Sequence, residues 1–392
     1  MTVLTKPHIL HLTGCLAGGG AETILRSLCR DQRAQGYLVT VIYFYETRGS
    51  KAARADLRQI GCCVYQINPL MLLIRSDLRQ QLMQADILHT HLLNLEIYGL
   101  ILSGLFKKKW IASRYLPLIT RRRRQLINRL TLHKADAVIC ISRTIKNFLT
   151  DQMPAADKCH VVYPGLHPQE MIRRQQGMDV RAVYRLGTNP FALIPARLVE
   201  QKGLLSFLEA IASVETDLKN WYFIFAGSGP LRESLQARAQ RAGLNDRIIF
   251  ANYRENIFDF MQQADLIILP SLWEGFGMAL LEAMHFGKPI ITTDIPAVRE
   301  WIGSAALLVP AGNTARMAEA LKKMINPDRR LELALRSRQR AANFPSWRTA
   351  QQVTGIYEHI LGQGPTLSED AVCSKNLNIG SKPQIPSGHC LF

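Results

Sequence analysis

The sequence has no uninterrupted apolar run near the length of about 18 residues that a membrane-spanning helix requires. The best candidate, residues 92–106, is short and contains Glu96. There is no CxxC pair among the 8 cysteines, and most of them lie in apolar stretches. This usage is typical of reduced thiols in the cytoplasm and disfavours a zinc site. No DxD triplet occurs, so a metal-held nucleotide diphosphate of that type has no visible ligand.

The composition is that of a globular chain with a basic excess. At 392 residues, 47% of them hydrophobic, the chain is long enough for two domains of about 150 residues each. Its net charge of +17 favours polyanions, anionic lipids or phosphate-bearing small molecules as partners. Aromatic residues are sparse among the basic runs, which disfavours nucleic acid.

Short apolar runs alternate with longer segments of helical period, a pattern typical of parallel sheets in α/β proteins. In the first half we predict strands at residues 8–13, 39–45, 87–90, 110–113, 137–142 and 160–163. In the second half we predict strands at residues 191–196, 221–226, 247–250, 265–270, 289–292 and 306–309. The pattern therefore indicates two similar sheets.

Shifts in composition divide the chain into domains. We predict a first domain over residues 1–168, an interdomain linker over 169–190 and a second domain over 191–345. The linker has few bulky apolar residues, and we expect a cleft beside it. Residues 346–362 predict a last helix that packs back towards the first domain. Residues 363–392 are rich in Gly, Pro, Ser and Asn and predict a disordered tail.

A glycine-rich loop containing Gly18 and Gly19 follows the first predicted strand and precedes a helix. Clustered glycines at a helix N-terminus let backbone N–H groups approach a phosphate. No Lys-Ser or Lys-Thr pair follows and the spacing is not GxGxxG, so neither a P-loop nor a dinucleotide fingerprint fits. The alternative is a tight turn with no ligand.

Two cations, Arg197 and Lys202, follow the first strand of the second half. Open parallel sheets bind ligands at the carboxyl ends of their strands, so the pair can converge on one diphosphate, the arginine as a fork and the lysine as a point charge. The alternative is two solvated loop cations. The next strand ends in a glycine turn at Gly227, where Arg232 replaces a fingerprint's third glycine, which disfavours NAD.

The most informative segment is residues 270–284. A strand ends at Pro270, two glycines interrupt the chain and a helix is predicted from Met278, so Glu274 lies in the loop and Glu282 in the helix. Eight residues along one helix span about 12 Å, which does not suit an acid–base dyad. The two carboxylates can instead hold different parts of one ligand by accepting hydrogen bonds from hydroxyl groups. The alternative is a helix N-terminal glutamate and a surface glutamate.

Two histidines, His89 and His91, end a predicted strand. We expect their side chains to face opposite sides of the extended strand, so that one packs in the core and the other lines a cleft. Metal chelation by this HxH pair is the weaker interpretation.

Together these residues resemble the family 4 (group 1) retaining glycosyltransferases of the GT-B fold, over about residues 7–361. Residues 274–284 match the family's E-x7-E segment, and Ala196-Arg197-Leu198 with Lys202-Gly203 match its diphosphate-binding loop. The resemblance implies an α/β protein of two Rossmann-like, doubly wound parallel-sheet domains that face each other across a cleft.

The resemblance also implies a set of site residues. The implied catalytic residues are Arg197, Lys202, Glu274 and His91. The implied donor-binding residues are Gly18, Gly19, Gly227, Phe276, Gly277, Met278 and Glu282. The two cations would contact the donor phosphates, Glu274 the sugar hydroxyls and Glu282 the ribose, while His91 would line the sugar pocket. No metal ligand is implied.

The implied reaction moves a hexose from a nucleotide diphosphate sugar to a hydroxyl of a saccharide or lipid-linked acceptor, with retained configuration, in cell-envelope polysaccharide, lipopolysaccharide or glycolipid biosynthesis. Two pre-placed cations stabilise the charge that develops on the leaving diphosphate. No metal or other cofactor is then required, and we expect the leaving phosphate to accept the proton. A nucleotide-sugar epimerase or phosphorylase on the same fold is the alternative, and a basic membrane- or nucleic-acid-binding protein is a third.

Two basic clusters lie in the first half, and their members are Lys107, Lys108, Lys109, Arg121, Arg122, Arg123 and Arg124. Adjacent cations repel one another, so an anionic lipid surface would neutralise them. Each contributes about 1 kcal/mol near an anionic leaflet, and Trp110 is expected to serve as an interfacial anchor. The clusters predict a cytoplasmic enzyme that is peripheral on the inner face of the membrane. The alternative is a merely solvated surface.

Overall fold

The computed structural model describes residues 6–69, 74–116, 131–151 and 156–363. Within these ranges the chain forms two sheets, one of seven strands and one of six, and every strand pair is parallel. Helical segments between the strands carry the chain back to start each parallel neighbour. The prediction of two Rossmann-like, doubly wound α/β domains is confirmed. Within the described ranges, no helix is long and apolar enough to cross a membrane.

The first sheet has the strand order β3-β2-β1-β4-β5-β6-β7. Its strands are β1 (His8–Thr13), β2 (Leu38–Tyr43), β3 (Cys63–Gln66), β4 (Ile87–His91), β5 (Lys109–Arg114), β6 (Ala137–Cys140) and β7 (Cys159–Val161). The described helices around it are α1 (Gly20–Ala34), α2 (Ser50–Gln59), α3 (Ser76–Gln84), α4 (Glu96–Phe106) and α5 (Arg143–Thr150). Strand β3 is missing from the sequence prediction because it lies at the sheet edge, where exposed residues interrupt the apolar run.

The segment between the sheets carries two short helices, α6 (Pro168–Arg173) and α7 (Val180–Val183). The Asp259 carboxylate, on the second domain, accepts hydrogen bonds of 3.1–3.3 Å from the backbone N–H groups of residues 176–178. Val180 and Leu186 are fully buried. Much of this segment is therefore folded onto the second domain.

The second sheet has the strand order β10-β9-β8-β11-β12-β13. Its strands are β8 (Phe191–Ile194), β9 (Tyr222–Phe225), β10 (Ile248–Phe250), β11 (Leu266–Leu269), β12 (Ile290–Thr293) and β13 (Leu307–Val309). Its helices are α8 (Leu204–Ser213), α9 (Arg232–Arg241), α10 (Ile257–Gln263), α11 (Met278–His285), α12 (Pro296–Ile302), α13 (Thr314–Lys323) and α14 (Pro327–Ala341). All six strands overlap the predicted segments, because each forms a short, mostly apolar run.

The last helix, α15 (Ser346–Ile360), returns to the first domain and packs against α1. Its inner face belongs to the core of that domain through Ala350, Val353, Ile356 and Tyr357. The Tyr37 hydroxyl also donates to the Glu358 carboxylate at 2.7 Å. A Cβ placed on Gly165 would lie 2.3 Å from the carbonyl oxygen of Pro345, the residue just before α15. The segment that leaves the first domain at Gly165 and the segment that returns to it at Pro345 are therefore in contact.

Candidate functional site

A cleft of about 920 Å³ lies between the two domains. Residues of the loops after β1, β8, β9 and β11 line it. The strand order of the sheets reverses between β1 and β4 and between β8 and β11. Open parallel sheets bind their ligands at such reversal points, beyond the carboxyl ends of the strands. The topology therefore places a ligand site in this cleft.

The cleft brings together all but one of the site residues expected from the sequence. Those that line it are Gly18, Gly19, Arg197, Lys202, Gly227, Glu274, Phe276, Gly277, Met278 and Glu282. They come from both domains, so each half of the chain supplies part of one site. The exception is His91, which is absent from the lining.

Lys202 and Glu274 meet on the wall formed by the second domain. Lys202 Nζ is paired with Glu274 Oε1, and the Ser271 hydroxyl donates to the same oxygen at 2.7 Å. A Cβ at Gly203 would lie 2.2 Å from the Pro270 carbonyl oxygen, so the loops after β8 and β11 pack backbone against backbone. This close approach, which needs glycine at φ 60°, brings the lysine to the glutamate.

Arg197 lies on the same wall, in the loop after β8. Its Nη2 donates to Gln201 Oε1 at 3.2 Å, and the Gln201 amide donates in turn to the Trp273 carbonyl at 3.0 Å. The amide oxygen is neutral, so this contact positions the guanidinium without cancelling its charge. An anion in the cleft can therefore use the planar fork of the arginine.

Glu282 projects from α11 and is 7% exposed. Burial raises the pKa of its carboxyl group, and the nearby guanidinium of Arg174 opposes that rise. Arg174 Nη1 lies 3.5 Å from Glu282 Oε1, and the guanidinium stacks 4.4 Å from the centre of the Phe258 ring. Arg174 lies within the predicted linker, and sequence analysis missed it because a lone arginine in a polar segment carries no pattern.

Phe276 supports the loop that carries Glu274. Its ring stacks on Trp301 with the two ring centres 4.3 Å apart, and its carbonyl oxygen accepts a 2.9 Å hydrogen bond from Trp301 Nε1. The next residue, Gly277, adopts φ 92° and immediately precedes α11. The backbone N–H groups at the start of α11 therefore lie at the cleft wall, where the N-terminus of a helix favours an anion.

Contacts between the two domains include three that bear on the geometry of the cleft. A Cβ on Gly275 would lie 1.8 Å from the Tyr115 carbonyl oxygen, and one on Gly20 would lie 2.7 Å from Met278 Cγ. The Glu300 carboxylate accepts hydrogen bonds from the first two backbone N–H groups of α5 at 3.1 and 3.2 Å. Burial raises the pKa of Glu300 to about 7, although these hydrogen bonds lower it.

His89 and His91 lie on the same face of β4, with ring centres 4.1 Å apart. The prediction that they face opposite sides is wrong, because residues i and i+2 of a strand share a face. His91 is 1% exposed and lies beneath the cleft. The expectation that it lines the sugar pocket is therefore corrected: Tyr115, whose hydroxyl bonds His91 Nδ1 at 2.7 Å, lines the cleft in its place.

A chain of hydrogen bonds continues from His91 into the core. His91 Nε2 lies 2.9 Å from His11 Nδ1, and His11 Nε2 lies 2.8 Å from Gln32 Oε1. Because an amide oxygen only accepts, His11 and His91 each donate through Nε2, and Tyr115 donates its hydroxyl proton to His91. Burial lowers the pKa of His11 to about 4 and the pKa of His91 well below its ordinary value. Both rings are therefore neutral, and they orient the tyrosine.

In the part of the chain that the structure describes, one group can be considered for a metal ion. The ring nitrogens of His11, His89 and His91 lie within 4.8 Å of one another. His89 also has two partners, the Tyr357 hydroxyl at 2.5 Å and the Ser113 hydroxyl at 2.7 Å. Every ring nitrogen of the group already has a hydrogen-bond partner, so a metal ion would have to displace these bonds. The arrangement fits a buried hydrogen-bond network.

The expected membrane anchor, Trp110, is not on the surface. It is fully buried in β5, and its Nε1 donates to the Thr90 hydroxyl at 3.0 Å. The prediction that it anchors the protein at an interface is wrong, because Gly99 of α4 leaves room for the indole beneath the helix. Lys107 and Lys109 are exposed. The four arginines at residues 121–124 lie outside the described residues.

Two protein-family models match the chain. The model for "Glycosyltransferase Family 4" matches residues 18–170, and the model for "Glycosyl transferases group 1" matches residues 179–344. The two matches together take in both domains and the loops that line the cleft.

Curated relatives and solved structures agree with these models. The chain is 28% identical to an alpha-D-kanosaminyltransferase of Streptomyces kanamyceticus over 46% of this chain and 49% of that protein, so the match spans about half of the relative. It is 28% identical to the lipopolysaccharide core biosynthesis mannosyltransferase LpsB of Rhizobium meliloti (strain 1021), over 62% and 71% of the two chains. The structure of Anabaena Alr3699/HepE in complex with UDP and glucose aligns with a TM-score of 0.76 at 19% identity, covering 90% and 100%. At this identity, the last likeness shows the fold.

Proposed function

The chain belongs to the group 1 and family 4 glycosyltransferases, of the GT-B fold, and we propose that it transfers a hexose from a nucleotide diphosphate sugar to an acceptor hydroxyl. The observation that carries this proposal is the convergence of Arg197, Lys202 and Glu274 in one cleft at the strand-order reversal of the second sheet. The similarity in fold to the structure of Anabaena Alr3699/HepE in complex with UDP and glucose supports a nucleotide-sugar donor.

The two cations bind the donor diphosphate. Arg197 offers a fork whose charge is not cancelled by the Gln201 amide. Lys202 is only 13% exposed and is held in place by its ion pair with Glu274, and its remaining N–H donors bind the diphosphate. Negative charge grows on the diphosphate as the anomeric bond breaks, and pre-placed cations stabilise this transition state more than the ground state.

Glu274 and Glu282 hold the donor from two sides. Glu274 accepts hydrogen bonds from sugar hydroxyls, while the N–H groups at Gly277 and Met278 meet the donor at the helix start. Glu282 accepts hydrogen bonds from the ribose hydroxyls, and the ribose then takes the place of Arg174 beside this carboxylate. The glycine loop at Gly18 and Gly19 approaches the diphosphate from the opposite domain.

We propose that transfer retains the anomeric configuration and uses no metal or other cofactor. The site offers two cations at the diphosphate, which supply the positive charge that a metal supplies elsewhere. The leaving phosphate accepts the proton of the acceptor hydroxyl, because Glu274, whose Oε1 is held by Lys202 and Ser271, is assigned to the sugar hydroxyls of the donor. Tyr115 donates its proton inward to His91, which leaves its oxygen as a hydrogen-bond acceptor at the cleft floor.

The acceptor is a saccharide or lipid-linked saccharide of the cell envelope. The similarity to a lipopolysaccharide core mannosyltransferase supports this class. We also propose that the enzyme works in the cytoplasm, at the anionic inner face of the membrane, where its net charge of +17 favours binding.

The test combines a substrate panel with matched variants. Wild-type enzyme is incubated with a panel of nucleotide sugars and a cell-envelope lipid extract, and mass spectrometry identifies a product heavier by one hexose. Arg197→Ala and Lys202→Ala should each lower turnover by about 100-fold or more. The control variants Arg241→Ala and Lys219→Ala remove exposed cations of the same domain and should turn over like wild type. Equal rates in all four variants would overturn the assignment of the donor site.

The same experiment separates the alternatives. An epimerase would change the nucleotide sugar without consuming acceptor, and a phosphorylase would require inorganic phosphate. NMR of the product at the anomeric centre distinguishes retention from inversion. An inverted product would contradict the proposed stereochemistry while leaving glycosyl transfer in place.

A further inference from the structure

Helix α4 presents an apolar stripe to solvent. Ile97, Ile101 and Leu105 are 45%, 50% and 61% exposed, and their spacing of four residues aligns them along one face of the helix. Between Glu96 and Lys107 the helix carries no charged residue. A surface helix normally turns polar side chains outward, so a face of this composition indicates contact with something other than water.

The packing of the opposite side keeps this stripe outward. Glu96, at the start of the helix, is buried and pairs with Arg114 at 2.6 Å. A Cβ on Gly99 would lie 2.3 Å from Trp110 Nε1, so the helix backbone rests directly on the indole. Leu102 is also buried. Turning the stripe inward would break a buried ion pair, which is strongly unfavourable.

Basic and apolar groups continue the surface at the end of α4. Lys107 follows the helix and is exposed. Lys108 Nζ donates to the Met83 carbonyl at 2.7 Å, which ties the end of α3 to the end of α4. Met83 is 62% exposed. Apolar side chains bordered by lysines are typical of helices that lie in the interface of an anionic bilayer.

We propose that the α4 face, formed by Ile97, Ile101, Leu105 and Met83 with Lys107 and Lys108, is the surface that contacts an anionic lipid bilayer. The inference rests on the proposed membrane association and not on the transfer reaction. Charge complementarity selects the lipid over a second copy of the chain, because two copies would bring like-charged lysines together, whereas anionic headgroups attract them. The apolar stripe then enters the headgroup boundary beside the lysines.

The test measures flotation of the full chain with vesicles of phosphatidylcholine, with and without phosphatidylglycerol, at two salt concentrations. The double variant Ile101→Ser, Leu105→Ser should bind anionic vesicles about 10-fold or more weakly, since each half-exposed side chain loses its burial in lipid. Lys107→Gln with Lys108→Gln should weaken binding by a similar factor and reduce its dependence on salt. Donor hydrolysis without acceptor should stay at the wild-type rate in both.

A matched control comes from the second domain. Leu331 and Leu335 on α14 are 61% and 56% exposed and are also four residues apart. Leu331→Ser with Leu335→Ser should bind vesicles like wild type, and thermal melting followed by circular dichroism checks that each variant folds. In a separate variant, Ile101→Trp, the fluorescence of the introduced indole should shift to the blue on anionic vesicles and stay unchanged on neutral ones.

Each outcome decides a distinct claim. Equal vesicle binding by the α4 and α14 variants, with no fluorescence shift, would overturn the assignment of the α4 face as the contact surface and leave membrane association intact. Absence of wild-type binding to any vesicle would overturn both, while the tests with Arg197 and Lys202 would still decide the reaction. Light scattering tests the alternative that the α4 face joins two copies of the chain. If Ile101→Ser with Leu105→Ser converted a dimer to a monomer without altering vesicle binding, the proposal would be wrong.

Discussion

Replacing Gly275 by alanine tests whether the contact between the domains sets the geometry of the cleft. The added Cβ would lie 1.8 Å from the Tyr115 carbonyl oxygen, whereas ordinary contacts begin at 3.4 Å. The loop must therefore move by about 1.6 Å, and it carries Glu274 with it. A displacement of about 1 Å at reacting groups costs about 100-fold. We expect kcat/KM to fall at least about 100-fold, which corresponds to about 2.7 kcal/mol of barrier.

The assay is the initial rate of nucleoside diphosphate release with the donor that the panel identifies, together with thermal unfolding of each variant. Gly355→Ala is the control, because nothing lies within 4 Å of a Cβ placed there on α15. Alanine in a helix interior stabilises by up to about 1 kcal/mol relative to glycine, and the control should keep the wild-type rate. A Gly275→Ala enzyme with wild-type kcat/KM and unchanged Tm would refute the reasoning.

Glu282→Ala should raise the donor KM with little change in kcat, because ribose contacts are alike in ground and transition states; a collapse of kcat at constant KM in steady-state kinetics would contradict this role. The pKa of Glu300 is raised from an ordinary 4.5 to about 7, so between these pH values the folded state binds more protons than the unfolded state. The stability that Glu300 contributes is therefore lost as pH rises across that interval. Urea unfolding of Glu300→Gln should show a flatter decline in the free energy of unfolding from pH 5 to pH 7.5 than wild type. An identical decline in the two proteins would exclude Glu300 as a source of this pH dependence. Treatment with a chelator followed by dialysis should leave turnover unchanged, and activity restored only by an added metal ion would contradict the proposal of metal-free transfer.

Local patterns were sufficient to predict all but one of the described strands and most of the cleft wall. The strand runs, the glycine loop and the segment around Glu274 are continuous in sequence, and parallel topology brings the strand ends together without further information. Arg174 and Tyr115 were not predicted, because their partners Glu282 and His91 are distant in sequence and only the packed chain shows the pairs. The Glu300 contact with α5 was missed for the same reason.

The predictions for the two histidines of β4 and for Trp110 were wrong for identifiable reasons. His89 and His91 lie on one face of β4 rather than on opposite faces, because the side chains of a strand alternate with a period of two residues. The assignment of Trp110 to the membrane interface came from its place beside three lysines. After Lys109 every residue of β5 is buried, and the space left by Gly99 accommodates a large ring there. A basic segment that adjoins a residue in sequence therefore does not place that residue on the surface.

The position of α15 has a consequence for how the protein is made. The apolar face that completes the core of the first domain is supplied by residues 346–360. A ribosome synthesises these residues after every strand of the second domain, and domains otherwise tend to fold in order from the N-terminus during synthesis. The first domain therefore waits, with part of its core uncovered, until translation of the second is complete. A nonsense mutation just after Pro345 would spare all thirteen strands that the structure describes and still leave the first domain exposed to proteases.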